Sequence, residues 1–197
     1  AAGTIPGASY CVRDSAVVHH RYSVGEAEVR PQRRSVSDDT VWDLASLTKV
    51  LATTPIAMAL VHEGRISPDD HVTQWLTTGP SGVTVGHLLS HSSGLPAWVS
   101  FADILGLDQA GGRNTRDAIL EYAASMGLEA SPGDRYRYSD IGFLALCAIL
   151  EKAGGAPLDE LFLRFVVEPS GVDLRWGWPE AAATEDCPMR ERVVVGE

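Results

Sequence analysis

Two segments late in the chain carry apolar residues at the helical period. Ile141, Leu144, Ala145, Ala148 and Ile149 fall at i, i+3, i+4, i+7 and i+8, a stripe that one helix face buries, and Gly154-Gly155 predicts where that helix ends. Leu158, Leu161, Phe162, Phe165 and Val166 repeat the spacing, with Pro157 suited to the first turn and Pro169-Ser170-Gly171 marking the stop. An earlier helix is expected over residues 45–62, stopped by Gly64, with shorter helical turns over 69–76, 85–90 and 116–126. Pro55 lies inside the 45–62 helix, where it removes a backbone bond at a cost of about 3 kcal/mol unless locally compensated, so a kink is expected there. Residues 9–13 and 16–22 are β-prone runs around Asp14-Ser15, a candidate two-residue hairpin turn. Strands first and helices afterwards predict an α+β fold rather than a βαβ alternation.

Two early strands cannot form an independently stable sheet, so they need partners. The run Val193-Val194-Val195 reads as the start of one. The expected organisation is therefore strands over 1–45, a mostly helical region over 46–192, and the opening of a returning strand over 193–197, with the sheet incomplete.

Composition narrows the function classes. Hydrophobic content of 45% and charged content of 21% fit a globular chain. A net charge of -10 leaves no basic stripe for nucleic acid. The longest uncharged apolar stretch, 50–61, is too short for a transmembrane segment. Cys11, Cys147 and Cys187 are far apart, which argues against both a disulfide framework and a metal knuckle. Positive charge is carried almost wholly by arginine, and Lys49 and Lys152 are the only lysines.

That makes Ser46-Leu47-Thr48-Lys49 conspicuous. A spacing of three puts serine and lysine on one helical face, and a serine hydroxyl needs a neighbouring base to become a nucleophile. Lysine serves as that base if desolvation or nearby positive charge lowers its pKa, and Val50 and Leu51 make partial burial of Lys49 plausible. A helix N-terminus would favour the negative charge of the attacking and tetrahedral oxygens. Alone, the pattern fits an N-capping serine with a solvated lysine equally well. Tyr138-Ser139-Asp140 precedes the strongest helix, so Tyr138 can project into a cleft and act as acid or base near an ammonium; a packed aromatic beside a capping Ser139 is the alternative.

Three blocks together carry a resemblance. The segment from Asp43 through Ser46 and Lys49 to Val50 resembles the nucleophile segment of the β-lactamase-related serine hydrolases: class C β-lactamases, penicillin-binding proteins, D-alanyl-D-alanine carboxypeptidases and esterases that use no metal. His87-Leu88-Leu89-Ser90-His91-Ser92-Ser93-Gly94-Leu95-Pro96 is similar to the loop those enzymes carry downstream. Pro132-Gly133 through Tyr138-Ser139-Asp140 matches their second motif, and Glu168-Pro169-Ser170-Gly171-Val172 matches the segment that comes after it in the family.

The resemblance implies a β-lactamase/transpeptidase-like fold, an acyl-enzyme on Ser46, proton transfer shared by Lys49 and Tyr138, and no cofactor. It implies a small ester, amide or peptide substrate, with Asp140 as a substrate-binding residue at a position usually held by asparagine. That departure matters, because an amide can donate to a substrate carbonyl and a carboxylate can only accept. Esterase or D-alanyl-D-alanine peptidase is thus favoured over efficient β-lactamase.

A second departure is the family's late-strand Lys/His-x-Gly triplet, absent here except for His62-Glu63-Gly64, a chance match two to three turns from Ser46. The expectation is a chain lacking its C-terminal third, with an incomplete oxyanion hole. The competing reading is a non-catalytic relative that keeps the scaffold to bind a peptide or a partner.

Other residues weigh less. His87 and His91 are four apart, yet Leu88 stands where a zinc protease needs glutamate, and a structural loop explains them better. Trp176 and Trp178 are read as loop anchors, and the Asp38-Asp39 and Asp69-Asp70 pairs as solvated helix starts.

Overall fold

A computed structural model describes residues 5–15, 17–38, 40–105, 113–171, 174 and 176, with the side chains of 113 and 114 excepted. The chain divides into two compact units, residues 1–45 with 175–197, and residues 46–174. The run Val193-Val194-Val195, expected to open a returning strand, lies outside the described residues, as do Trp178, Cys187 and Asp39.

The first unit holds a three-stranded antiparallel sheet in the order β1-β2-β3, with β1 Gly7–Arg13, β2 Val18–Glu28 and β3 Arg34–Ser35. Tyr10 pairs with Tyr22 and Val12 with His20, so one face carries an aromatic ladder in which Tyr10 and His20 stack at 5.3 Å. The opposite face is polar: Ser9 and Ser23 share a hydrogen bond and Ser23 donates to Asp38. The turn is wider than the expected two residues. Arg13 pairs with Val18, past a register shift, and Asp14 closes the loop by accepting the Val17 N–H on its side chain.

The second unit is helical: α1 Thr54–His62, α2 Val85–Leu89, α3 Phe101–Leu105, α4 Arg113–Ser125, α5 Asp140–Gly154, α6 Leu158–Phe162 and α7 Glu168–Ser170. α5 is its axis. Ile141, Ala145 and Ile149 of the predicted stripe are buried among Ile56, Leu60, Leu88 and Leu161, but Leu144 and Ala148 are only partly buried while Leu146 and Leu150 are fully buried, so the core-facing side is broader than the predicted stripe and turned from it. Gly155 terminates α5 in the left-handed region at φ 70, a conformation glycine adopts without a Cβ penalty. The expected 69–76 helix is only a 3-10 turn, Val72–Gln74, because His71 and Val72 are drawn into bridges with Thr84 and Val83. α3 was not anticipated. Its five residues are too few to show a period.

Residues 45–62 form one helical run with a change of pitch rather than a simple kink. A 3-10 turn, Ala45–Leu47, is followed by a π-helical turn, Lys49–Thr53, and then by α1. The Thr54 N–H reaches back to the Lys49 carbonyl, one residue further than in an α-helix. A proline ring collides with the carbonyl four residues before it, here that of Leu51, and the wider turn is the local compensation. The same device recurs at Pro169, where the π-helical Leu163–Val167 comes just before and the helix continues to Ser170. By length and hydropathy alone the 45–62 run could cross a membrane, but Ile56, Ala57 and Leu60 on it belong to the core.

Candidate active site

Ser46 sits on the 3-10 turn, directly after Ala45, whose φ of 43 is unusual for a residue with a side chain. Asp43 steadies that conformation by accepting the Ala45 N–H at 2.8 Å. Lys49 follows one turn later, and its Nζ donates to Ser46 Oγ at 3.4 Å. The expected serine–lysine pairing is therefore present.

The second half of the site comes from two loops laced together. Ser92 O accepts from Gly133 N, His91 O from Arg137 N, Gly94 O from Glu129 N and Ala97 O from Asp140 N, each at 2.8 Å. Gly94 lies at φ 81 where a Cβ would strike the Ala130 carbonyl, so the crossing requires glycine. Ser139 is buried, caps α5 through its side chain to Gly142 N, and donates its hydroxyl to Pro96 O. This lacing holds Tyr138 over Lys49, with Nζ 5.0 Å from the Tyr138 ring centroid and 5.6 Å from that of Phe143. The phenol lies close enough to Lys49 and Ser46 for both to act on its ionisation.

Asp140 completes the group. Its Oδ1 accepts from Lys49 Nζ at 2.6 Å, and the lysine side chain is 15% exposed against 42% for the aspartate. This ion pair bears on the condition set for Lys49 as a base, a lowered pKa. Burial alone works to lower the Lys49 pKa and is the largest single influence, but the Asp140 hydrogen bond, the Tyr138 hydrogen bond and the Asp140 charge together raise it above its ordinary value. The ion pair favours the charged form of Lys49. The complementary effect falls on Tyr138, whose pKa is lowered by the hydrogen bond from Lys49 first and that from Ser46 second.

His91 is the residue that sequence reasoning missed at this site. It takes a left-handed φ of 54, its Nδ1 accepts the Ser139 N–H at 3.1 Å, and its ring packs on Tyr138 at 4.5 Å and Phe143 at 4.8 Å. Burial, then the Lys49 charge, lowers its pKa, so it stays a neutral acceptor. His87 acts elsewhere, in a capping box for α2 in which its Nδ1 accepts from Thr84 N while Thr84 Oγ1 accepts from His87 N. Glu63 of the chance triplet pairs instead with Arg65 and Arg164.

Comparison with known proteins agrees with this geometry. The Beta-lactamase family model matches residues 1–191. The chain belongs to the beta-lactamase family. Within that family it is 30% identical over 160 residues to penicillin-binding protein 4* of Bacillus subtilis, covering 80% of this chain and 34% of that one. It is 32% identical over 183 residues to esterase EstB of Burkholderia gladioli, covering 84% and 45%, and 30% identical over 145 residues to a putative D-alanyl-D-alanine carboxypeptidase of Escherichia coli, covering 68% and 33%. Among solved structures, the octameric penicillin-binding protein homologue from Pyrococcus abyssi superposes with a TM-score of 0.77 at 28% identity, over 98% of this chain and 44% of that one. The chain thus spans from a third to just under half of the length of these relatives. The fold is that of the penicillin-binding and β-lactamase proteins, α+β as expected.

Proposed function

We propose that this beta-lactamase family chain carries the nucleophilic centre of a serine hydrolase that cleaves a small ester or amide through an acyl-enzyme on Ser46. What supports the reading is the convergence of the three side chains: Lys49 Nζ is 3.4 Å from Ser46 Oγ and 5.0 Å from the Tyr138 ring centroid. The relatives that match include a protein named as an esterase and one named as a putative D-alanyl-D-alanine carboxypeptidase.

In the mechanism this geometry favours, Tyr138 rather than Lys49 is the base. Tyr138 in its phenolate form takes the Ser46 proton as Oγ bonds to the substrate carbonyl carbon. The C–O or C–N bond then breaks and the leaving group departs with that proton. Water attacks the acyl carbon and gives a proton to the Tyr138 phenolate; the acyl–Oγ bond breaks, and Tyr138 passes that proton to Ser46 Oγ and returns to phenolate. Lys49 stays charged throughout, holding the phenolate and the oxyanion-like hydroxyl by Coulomb attraction.

Labelling with a fluorophosphonate probe tests the nucleophile. The expected product is a phosphonylated tryptic segment ending at Lys49, lost in Ser46→Ala. Labelling that persists in Ser46→Ala removes the assignment. Absence of labelling in the natural full-length protein favours a scaffold that binds without catalysis.

A further inference from the structure

Asp140 is more than the anchor of an ion pair. Its backbone N–H is fixed on Ala97 O and its Oδ1 on Lys49 Nζ, while Oδ2 takes no hydrogen bond from a described residue and the side chain is 42% exposed. Because Nζ is 2.6 Å from Oδ1 and 3.4 Å from Ser46 Oγ, the carboxylate can be no further from the nucleophile than the sum of those spans. A carbonyl in attacking range of Oγ therefore meets a fixed, acceptor-only group beside it. Of the two members of this ion pair the carboxylate is the more exposed, 42% against 15% for the lysine side chain, so an arriving arm meets the acceptor first.

Resting on the reading of Ser46 as nucleophile, we propose that Asp140 sorts substrates by charge. The site takes acyl donors that present an N–H, as amide or ammonium, near the reacting carbonyl and turns away those that present a carboxylate there. A free carboxylate oxygen accepts the first kind of group with a charge-assisted hydrogen bond and repels the second.

Three alkyl fluorophosphonates with equal short arms ending in an ammonium, a methyl or a carboxylate test this. Attack by Ser46 Oγ forms the P–O bond and expels fluoride in every case, so the ratio of labelling rates isolates the arm. The expected order is ammonium, methyl, carboxylate, with about tenfold or more between the extremes, since like-charge juxtaposition is strongly unfavourable. Asp140→Asn abolishes or reverses that order, because it also leaves the Lys49 charge unmatched, and the ratio is unmoved by any change in Ser46 reactivity common to all.

Equal rates in the unsubstituted chain, or an order that survives Asp140→Asn, overturn the proposal while leaving Ser46 in place. No labelling by any probe removes the nucleophile and this inference with it. Should Asp140→Asn lose its native circular dichroism, salt decides: raising it from about 0.05 to about 0.5 M must narrow the wild-type gap, and a gap that does not narrow is refutation.

Discussion

His91 offers the sharpest test of how the site is held, because two substitutions separate what its ring touches from what its nitrogen accepts. His91→Phe keeps an aromatic surface for Tyr138 and Phe143, but nothing then accepts the N–H of the buried Ser139. An unsatisfied buried donor costs about 1–3 kcal/mol. A bulky residue at φ 54 adds strain of about 1–2 kcal/mol, much of it already borne by histidine. His91→Asn does the reverse. It tolerates the left-handed backbone and offers an amide oxygen as acceptor, while losing three ring contacts, to Tyr136, Tyr138 and Phe143, worth about 0.5–1.5 kcal/mol each. Denaturation in urea should place the two variants within about 2 kcal/mol of one another. Labelling of Ser46 should separate them: Asn retains most of the rate because the Ser139 peptide, and with it Tyr138, keeps its place, whereas Phe loses it by about tenfold or more.

The pH dependence gives a second reading of the same residue. A folded-state pKa below 6.5 means that the native state resists protonation there, so stability from neutral His91 is complete above 6.5 and is lost as pH falls from that value through the folded pKa. In His91→Asn this contribution to the acid limb should vanish. A Phe variant that labels like the wild type, or an acid limb unchanged in Asn, refutes the assignment.

Further outcomes rest on the same geometry. Tyr138→Phe removes the proposed proton carrier and should slow acylation about 10²–10⁴-fold with Ser46 still present, read by stopped-flow labelling. The rate in the unsubstituted protein should rise with pH along a limb centred below 10.0, since the phenol is easier to ionise than usual, and decline only above 10.5, as Lys49 gives up its proton; a limb centred at or above 10.0 counts against the phenolate. Leu146→Ala, at a fully buried position on α5, should cost about 2–5 kcal/mol of unfolding free energy in urea. Glu151→Ala should cost about 1.5–3 kcal/mol, because Glu151 both pairs with Arg116 of α4 and accepts the Leu158 N–H at the start of α6.

What could be read from the sequence was whatever depends on neighbours along the chain. Helix α5, its glycine cap and the serine–lysine spacing are local, and the structure places them as the pattern requires. The pitch changes before Pro55 and Pro169 were legible only as trouble, because a proline announces a missing bond without saying how the helix absorbs it. The direction of the Lys49 pKa was out of reach for another reason. Val50 and Leu51, the neighbours expected to bury Lys49, are themselves exposed, and the deciding partner is Asp140, 91 positions away in sequence. His91 was hidden likewise: its role depends on a backbone N–H in a distant loop and on a left-handed φ that histidine seldom adopts.

Ser46, Lys49, Tyr138, Asp140 and His91 all belong to the unit of residues 46–174, with the sheet contributing none of them. Under the proposed function, the serine reacts only while the two laced loops and the start of the helical run are folded against one core. Covalent capture of that hydroxyl is therefore a clock for the integrity of this unit. Its loss in denaturant should track the melting of α5, whatever the strands are doing.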